Sequence, residues 1–294
     1  MNDHTFVLID VGSANGIYPL FKNFLKYPTE IHTFEPEPDG LANNLNTKFI
    51  NNNFGLSDKK ENTNLYLTEK LECSSLLKPN MNLLKKYYNP ERFEINSSIL
   101  IDVMRFDEYF KGDHIDIIKL DTQGTEYEIL KGCGDTLLSK TKCIITEAEF
   151  VEMYTDQKLF IDLSEYLFSI GFRILKFLRI VFASNKRYYQ YDTRRYTDMI
   201  NRISNKRNSN VPYLQELLEL MKRRHEIIMR ILKVDDAYIN IDNINEINNI
   251  TNKIIDVDEL SILDKDTMMF CDVVYINTNL ENDIPMKTIM KSLQ

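Results

Sequence analysis

A glycine-bearing acidic loop follows a short apolar run near the start of the chain. Residues 7–11 read Val-Leu-Ile-Asp-Val, and Gly12 and Gly16 flank a small polar segment. A second apolar run, residues 31–34, leads directly to Glu35. This order of strand, glycine loop, helix, strand and carboxylate is typical of a doubly wound α/β sheet that holds a ribose-containing ligand. We therefore expect an α/β fold with a ligand site at the ends of its first two strands.

The loop differs from the dinucleotide-binding fingerprint, which needs a third glycine to pack its helix against the strand. Asp10 also places a negative charge where a pyrophosphate would lie. A neutral or cationic ligand is therefore favoured over a dinucleotide. S-adenosylmethionine meets these conditions, because it carries a ribose and a sulfonium but no phosphate. The alternative for the motif alone is an ordinary turn between a strand and a helix.

The residues after the glycine loop carry a helical pattern. Asn15 is suited to cap the start of a helix, and Pro19 is tolerated in a first turn. Apolar side chains recur with the i, i+3, i+4, i+7, i+8 spacing of an amphipathic helix at Ile17, Leu20, Phe21, Phe24 and Leu25. We therefore predict an α-helix over this segment.

Strand-like and helix-like patterns alternate further along the chain. Residues 115–121 predict a second buried strand that ends in a carboxylate. Thr125 and Glu128 have the spacing of a capping box for a helix that runs to about residue 138. A strand at 142–149, a helix at 159–170 and a strand at 172–177 follow. Such alternation predicts a mostly parallel sheet with helices on its faces.

The length and composition suit one large domain, or one domain with an appendage. Of the 294 residues, 43% are hydrophobic, which is enough for a sizeable core. No apolar run approaches the roughly 18 residues that a membrane-spanning helix needs. The first residues show no basic segment followed by an apolar one. We therefore expect a cytoplasmic protein without a membrane span.

Charge and potential metal ligands narrow the range of partners. The net charge of -8 argues against general affinity for nucleic acid, although residues 173–233 are rich in lysine and arginine. The four cysteines show no Cys-x-x-Cys spacing, and no group of histidines and carboxylates has the spacing of a metal site. We therefore expect neither a metal nor a nucleic-acid partner.

Three blocks of the sequence match the pattern of a known family. They are IDVGSANG at 9–16, FEP at 34–36 and IDIIKLDTQGTEYEILKG at 115–132. The chain resembles the FkbM-type S-adenosylmethionine-dependent methyltransferases in these blocks, over about residues 5–180 and again at 272–276. The third block is the most distinctive, because it joins a strand, an acidic end, a glycine turn and a capped helix. Gln123 departs from the glutamate that is common in the family.

The resemblance implies a class I methyltransferase fold, which is Rossmann-like. Its α/β sheet has seven strands, mostly parallel, with the last strand antiparallel to the rest. The implied reaction is methyl transfer to oxygen, typically a hydroxyl of a sugar or natural product, with S-adenosylmethionine as cofactor. By this resemblance Asp10, Gly12, Gly16 and Glu35 bind the cofactor. Residues 48–54 predict a third strand. We extend the expected cofactor site to the neighbours of these four residues and to the segment after that strand, namely Ser13, Asn15, Pro36, Leu56 and Ser57.

Two carboxylates are candidates for a general base, which helps a weakly nucleophilic sugar hydroxyl to attack. Asp121 and Glu147 follow or end predicted central strands, where open α/β sheets bind their ligands. Alternatively, Asp121 only caps the following turn or contacts the amine of the cofactor. Gln123, Glu126 and Tyr154 are expected to bind the substrate, although Glu126 also suits the first turn of a helix as a charge.

The chain divides into three predicted parts. Residues 1–184 form the methyltransferase core, 185–268 a mainly helical basic insertion, and 269–294 the closing strand and tail. Because a parallel sixth strand ends at the cofactor edge, the insertion emerges over the active site as a potential substrate lid. Arg194 and Arg195 are suited to bind an acidic sugar, a nucleotide-linked sugar or a phosphate. The alternative is a solvated helical appendage or a dimer contact.

These observations lead to one hypothesis and two alternatives. The hypothesis is a cytoplasmic O-methyltransferase that acts on a hydroxyl of a sugar, a glycan or a related precursor. One alternative is a nucleic-acid methyltransferase guided by the basic insertion, which the acidic remainder disfavours. The other is a non-catalytic cofactor-binding scaffold. The acceptor and the oligomeric state, including a homo-oligomer, stay open at this point.

Overall fold

The computed structural model describes most of the predicted core and small parts of the predicted insertion. The described residues are 4–14, 16–35, 47–183, 188–190, 219–220, 222–228, 245–246, 249–250, 253, 267–280 and 284–293. The strands are β1 (Phe6–Val11), β2 (Thr29–Phe34), β3 (Thr47–Asn52), β4 (Gly55–Leu56), β5 (Glu61–Thr68), β6 (Ile95–Met104), β7 (Ile115–Leu120), β8 (Thr141–Glu149), β9 (Phe172–Ala183), β10 (Tyr188–Gln190) and β11 (Thr267–Asn277). The α-helices with assigned bounds are α1 (Met81–Leu84), α2 (Phe106–Tyr109), α3 (Glu126–Leu138), α4 (Phe160–Ser169) and α5 (Ile284–Leu293).

The main sheet has the strand order β10-β9-β11-β8-β7-β1-β2-β3 among the described residues. Strands β1, β2, β3, β7 and β8 are parallel to one another, and β11 runs antiparallel between β8 and β9. The prediction of a mostly parallel sheet with an antiparallel last strand is therefore confirmed. The short strand β10 adds an eighth, antiparallel to β9, from within the predicted insertion.

Hydrophobic side chains bury both faces of the central strands. All six residues of β1 and all six of β7 are buried, as are the nine residues of β8. Near-continuous burial of this kind is characteristic of parallel strands covered on both faces. A ligand can therefore reach polar side chains only where these strands end, at the top or bottom of the sheet.

A separate three-stranded sheet packs beside the carboxyl ends of the main strands. Its order is β4-β6-β5, with β5 and β6 antiparallel. Leu65 lies opposite Ile99 in this pairing. Together with Leu67 and Ile101 they form an aliphatic wall of the cavity described below.

The helix predicted after the glycine loop is wrong in type. The structure has a 3₁₀-helix, Pro19–Phe24, in place of an amphipathic α-helix. The backbone N–H of Tyr18 donates to Asp10 at 2.6 Å, which fixes the chain directly before the helix begins. The i, i+3 pair Phe21 and Phe24 then eclipses on one buried face, as a 3₁₀-helix places it. The proposed cap, Asn15, lies outside the described residues.

The predicted insertion, 185–268, is described only in part, and its overall helical character and domain bounds stay predictions. Residues 222–228 are helical. Ile227 and Ile228 are fully buried in the same hydrophobic cluster as the core strands. The guanidinium of Arg224 lies 4.9 Å from the ring centre of Phe182 on β9. This helical segment therefore contributes to the core of the fold. No helix among the described residues is long and apolar enough to cross a bilayer.

Replacing Ile228 with alanine is expected to lower the free energy of unfolding by about 2–4 kcal/mol, because a buried side chain leaves a cavity. The matched control is Ile95→Ala, at a strand position where the side chain is 43% exposed. That change should cost less than about 1 kcal/mol. Urea denaturation of both variants checks the difference. Equal losses would show that residues 222–228 do not pack on the core.

Candidate active site

A cavity of about 570 Å³ opens at the carboxyl ends of β1, β2 and β7. One side is polar and comes from the loops after these strands, whereas the other is the aliphatic wall from β5 and β6. Of the residues predicted from sequence, six line it: Gly12, Gly16, Glu35, Leu56, Asp121 and Gln123. The sequence therefore predicted the location of the cavity, because parallel strands bring their carboxyl ends to one edge.

The two loop glycines have different structural roles. Gly12 has φ +77°, and an added Cβ would lie 1.9 Å from the backbone oxygen of Asp121. Only glycine therefore allows the loops after β1 and β7 to touch. Gly16 has φ +88°, but an added Cβ would meet no atom within 4 Å among the described residues beyond its chain neighbours. Gly16 thus leaves open space on the cavity side of the loop.

Asp10 fixes the glycine loop through contacts in the protein interior. Its carboxylate is fully buried, accepts the Tyr18 N–H, and lies 3.4 Å from Nζ of Lys119. The same Nζ donates to the backbone oxygen of Gly12 at 2.9 Å. Burial raises the pKa of Asp10, and the charge of Lys119 opposes that rise. Asp10 lies outside the set of residues that line the cavity, so the structure gives it a positioning role.

The other predicted cofactor residues divide between the loop interior and the protein surface. Ser13 is buried, and its backbone oxygen accepts the Gly16 N–H at 2.9 Å. The Ser57 hydroxyl donates to Asp58 at 3.3 Å. Neither residue lines the cavity. Pro36 and Asn15 lie outside the described residues.

A side-chain amide connects the two candidate bases. Nε2 of Gln123 donates to Asp121 at 3.0 Å and to Glu147 at 2.9 Å. Gln123 has φ +60°, and its backbone oxygen accepts the Ser75 hydroxyl at 2.7 Å. The sequence predicted these residues as neighbours at one sheet edge, and the structure brings all three together.

Tyr154 contacts Gln123 from the protein interior. Its hydroxyl lies 3.0 Å from Oε1 of Gln123 and 2.8 Å from the backbone oxygen of Cys73, and it has one proton to donate to either. The side chain is fully buried, and burial raises the pKa of the phenol. The expected substrate contact of Tyr154 is therefore indirect, because the phenol orients the amide that faces the carboxylates.

Glu126 differs from its predicted environment. Its carboxylate accepts the Thr122 N–H at 2.6 Å, the Thr122 hydroxyl at 3.0 Å and the Gly124 N–H at 2.9 Å. Burial raises the pKa of this carboxyl to about 7. Glu126 therefore fixes the loop after β7 from inside. The capping box is wrong, because the Thr125 hydroxyl donates to Thr122 at 2.9 Å and caps no backbone N–H.

The two candidate bases differ in accessibility and charge environment. The Asp121 side chain is 42% exposed and lies 3.8 Å from Nζ of Lys119. The Glu147 side chain is 8% exposed. Burial raises the pKa of Glu147 well above its usual value, and the neighbouring carboxylates Asp121 and Asp272 add to the rise. Asp121 is therefore the more accessible of the two carboxylates to a ligand in the cavity.

Arg179 and Asp272 complete the cluster, and sequence reasoning missed both. Nη2 of Arg179 donates to Glu147 and to Asp272, each at 3.1 Å. Asp272 pairs with Glu147 and with Arg179 in the register of the sheet. No local sequence pattern indicates this arrangement, because it depends on β11 inserting between β8 and β9. Arg194 and Arg195, the predicted anion contacts, lie outside the described residues.

The chain matches the family model of the methyltransferase FkbM domain over residues 10–174, more than half of its length. The chain belongs to the FkbM methyltransferase family. This confirms the resemblance that the three sequence blocks indicated. Comparisons with curated proteins and with solved structures give no match.

The matched segment of this FkbM methyltransferase contains the whole polar side of the cavity. It runs from Asp10 through the Gln123 bridge to α4 and the start of β9. Arg179 and Asp272 lie beyond it, although the fold brings them to the same carboxylates. The family match therefore covers the polar side of the cavity, whereas Arg179 and Asp272 come from the part of the chain beyond residue 174.

Proposed function

We propose that this FkbM methyltransferase transfers a methyl group from S-adenosylmethionine to a hydroxyl of a sugar, a glycan or a related small precursor. The observation that carries the proposal is the cavity at the carboxyl edge. It has a glycine loop and Glu35 on its polar side, and a partly exposed carboxylate, Asp121, held by Gln123.

The residues present fit S-adenosylmethionine as the methyl donor. A cavity of about 570 Å³ is in the size range of small-molecule sites. Gly16 leaves open space beside the loop, and Glu35 follows β2, where a carboxylate accepts hydrogen bonds from ribose hydroxyls. The lining also contains aliphatic side chains suited to a flat aromatic base. When bound, S-adenosylmethionine supplies an electrophilic methyl group on a sulfonium.

The protein must then orient the acceptor and take up one proton. A sugar hydroxyl is a weak nucleophile, so a carboxylate within hydrogen-bond reach helps it to attack. Asp121 is the residue we assign as base, and Gln123 holds its orientation. Glu147, with its raised pKa, acts as a second support for Gln123. Each carboxylate therefore has its own role.

The acceptor contacts come from the charged groups beyond Asp121. The Arg179 side chain is 42% exposed although it pairs with Glu147 and Asp272. Together with the predicted Arg194 and Arg195, it favours an acceptor that is anionic or nucleotide-linked. Comparing the glycans of cells with and without the gene by mass spectrometry tests this class of acceptor. Loss of one methyl group from a defined sugar supports the proposal, and identical glycan masses contradict it.

Replacing Glu35 with alanine is expected to weaken S-adenosylmethionine binding by about 2–3 kcal/mol, because ribose hydroxyls lose a charged acceptor. Glu72→Ala is the matched control, since Glu72 also lines the cavity but is 52% exposed. The control should leave the affinity within about threefold of the parent protein. Calorimetric titration measures both. Unchanged affinity in Glu35→Ala would contradict the assignment of the ribose contact.

A further inference from the structure

Two histidines and a buried aspartate lie close together at the amino ends of the parallel strands, on the side of the sheet opposite the proposed active site. His4 directly precedes β1, and His114 and Asp116 are at the entry to β7. Since β1 and β7 are parallel, this cluster lies at their amino ends, whereas Asp121 lies at the carboxyl end. The cluster is therefore separated from the cofactor edge by the length of the strands.

The three side chains converge on one point. Nε2 of His4 lies 3.0 Å from Oδ2 of Asp116, and Nε2 of His114 lies 3.6 Å from the same oxygen. One ligand atom from each residue falls within 4.8 Å of the other two. A tetrahedral ion with bonds of about 2.1 Å needs its ligand atoms about 3.4 Å apart. The cluster is thus within a small side-chain adjustment of that geometry.

The state of His114 supports a bound ion. Nδ1 of His114 lies 2.7 Å from Oδ1 of Asp113, so the ring donates its Nδ1 proton to that carboxylate. In the neutral ring with its proton on Nδ1, Nε2 carries a lone pair. This atom is inaccessible to solvent and has no hydrogen-bond partner among the described residues. A carboxylate behind a histidine that presents its other nitrogen is the usual support of a metal ligand.

Asp116 has further partners that set the expected strength of the site. Its Oδ1 lies 3.0 Å from Nζ of Lys142, and its Oδ2 accepts the Val7 N–H at 2.9 Å. Oδ2 keeps a lone pair for an ion, whereas Oδ1 stays with the lysine. The positive charge of Lys142 lowers the affinity for a cation, so the site should bind more weakly than a closed structural site.

We infer that His4, His114 and Asp116 bind a divalent transition-metal ion such as Zn²⁺. Two imidazoles and one carboxylate suit zinc and its neighbours, whereas magnesium prefers oxygen ligands alone. The His4 and His114 side chains are 27% and 33% exposed, so the cluster lies close to the protein surface. A cavity of about 310 Å³ lies beside the cluster and is lined by His114 and Asp113.

The ion would join two parts of the chain that are far apart in sequence. His4 lies 112 residues from Asp116. Binding would replace the hydrogen bond from His4 to Asp116 with two metal bonds, and the ring proton of His4 would move through solvent from Nε2 to Nδ1, so that the bound imidazole stays neutral. Because an ion that binds only the folded state stabilises it, this clip would hold the first residues of the chain on the sheet.

Zinc titration of the untagged, chelator-treated chain tests the inference. We expect one Zn²⁺ per chain, a rise in the melting temperature on adding Zn²⁺, and no rise with Mg²⁺. His4→Ala and His114→Ala should each weaken binding by about a hundredfold, and Asp113→Asn by about tenfold, since Asp113 only orients a ligand. His225→Ala, in the helical segment 222–228, is the control and should bind as the parent does.

Two results would overturn it. The first is no binding to the parent chain at free Zn²⁺ up to on the order of 0.1 mM. The second is equal binding by the parent and both histidine variants, which would place the ion elsewhere. Far-ultraviolet circular dichroism of the metal-free variants tests whether they are folded. Because the two histidines are replaced independently, the inference can still be tested if one variant does not fold. Methyl transfer plays no part in these measurements.

Discussion

Alanine in place of Gly12 is expected to lower the free energy of unfolding by more than about 4 kcal/mol, among the largest effects of a single substitution. The added Cβ would lie 1.9 Å from the backbone oxygen of Asp121, so two backbones must separate. Separation strains the hydrogen bonds from Asp121 N–H to Val11 and from Gly12 N–H to Phe34. The φ of +77° adds about 1–2 kcal/mol. Denaturant titration measures the loss.

Gly16→Ala is the matched control for Gly12→Ala. Gly16 lies in the same loop, and its φ of +88° imposes a similar backbone cost. In the described part of the chain, however, no atom lies within 4 Å of the added Cβ, apart from its chain neighbours. We expect a loss of about 1–2 kcal/mol. The difference between the variants isolates the contact of the two loops. Similar losses in both would show that the loops after β1 and β7 separate easily, and the tight apposition would then be wrong.

Asp121→Asn is expected to reduce methyl transfer by about a hundredfold to ten-thousandfold. Asparagine keeps the size of the side chain but cannot take the proton from an acceptor hydroxyl. The amide of Gln123 still finds an oxygen to bind, so the loop should keep its shape. The measurement is turnover at saturating S-adenosylmethionine, with cofactor affinity measured separately by calorimetry. Affinity should change by less than about tenfold, because the assigned ribose contact is Glu35.

Glu147→Gln tests whether Glu147 acts as the base or only holds Gln123 in place. Glu147 is nearly buried, and its raised pKa favours the protonated form, which has no free carboxylate to take a proton from an acceptor. We expect turnover to fall by less than about tenfold. A larger loss in Glu147→Gln than in Asp121→Asn would exchange the two roles. Parent-like turnover in both variants would mean that positioning alone promotes the reaction, without a carboxylate base.

The polar side of the cavity was predictable because its signals are local. A strand, a glycine loop and a following carboxylate stand close together in sequence, and parallel pairing brings their ends to one edge. Asp121 and Gln123 belong to the short loop that joins β7 to α3. The family resemblance then added the antiparallel last strand. For these residues, short-range pattern and sheet topology are sufficient.

The other features of the two sites could not be predicted, because they depend on contacts between residues that are far apart in sequence. Arg179 and Asp272 meet only through the pairing of β9 with β11, across 93 residues of sequence. His114 had no partner by spacing, yet the parallel pairing of β1 with β7 brings His4 to it. Glu126 had two roles open to it on sequence grounds. In the structure Glu126 is buried and accepts three hydrogen bonds from donors of the loop after β7, so its role is structural.

The position of β11 has a consequence for how this chain reaches its folded state. The strand pairs with β8 and β9, yet Tyr275 is synthesised 131 residues after its partner Ile144. Until then, β8 and β9 lack the neighbour that completes the sheet between them. Closing so long a loop is slow, and unpaired strand edges invite association with other chains. We therefore expect the nascent chain to depend on chaperones until β11 emerges from the ribosome.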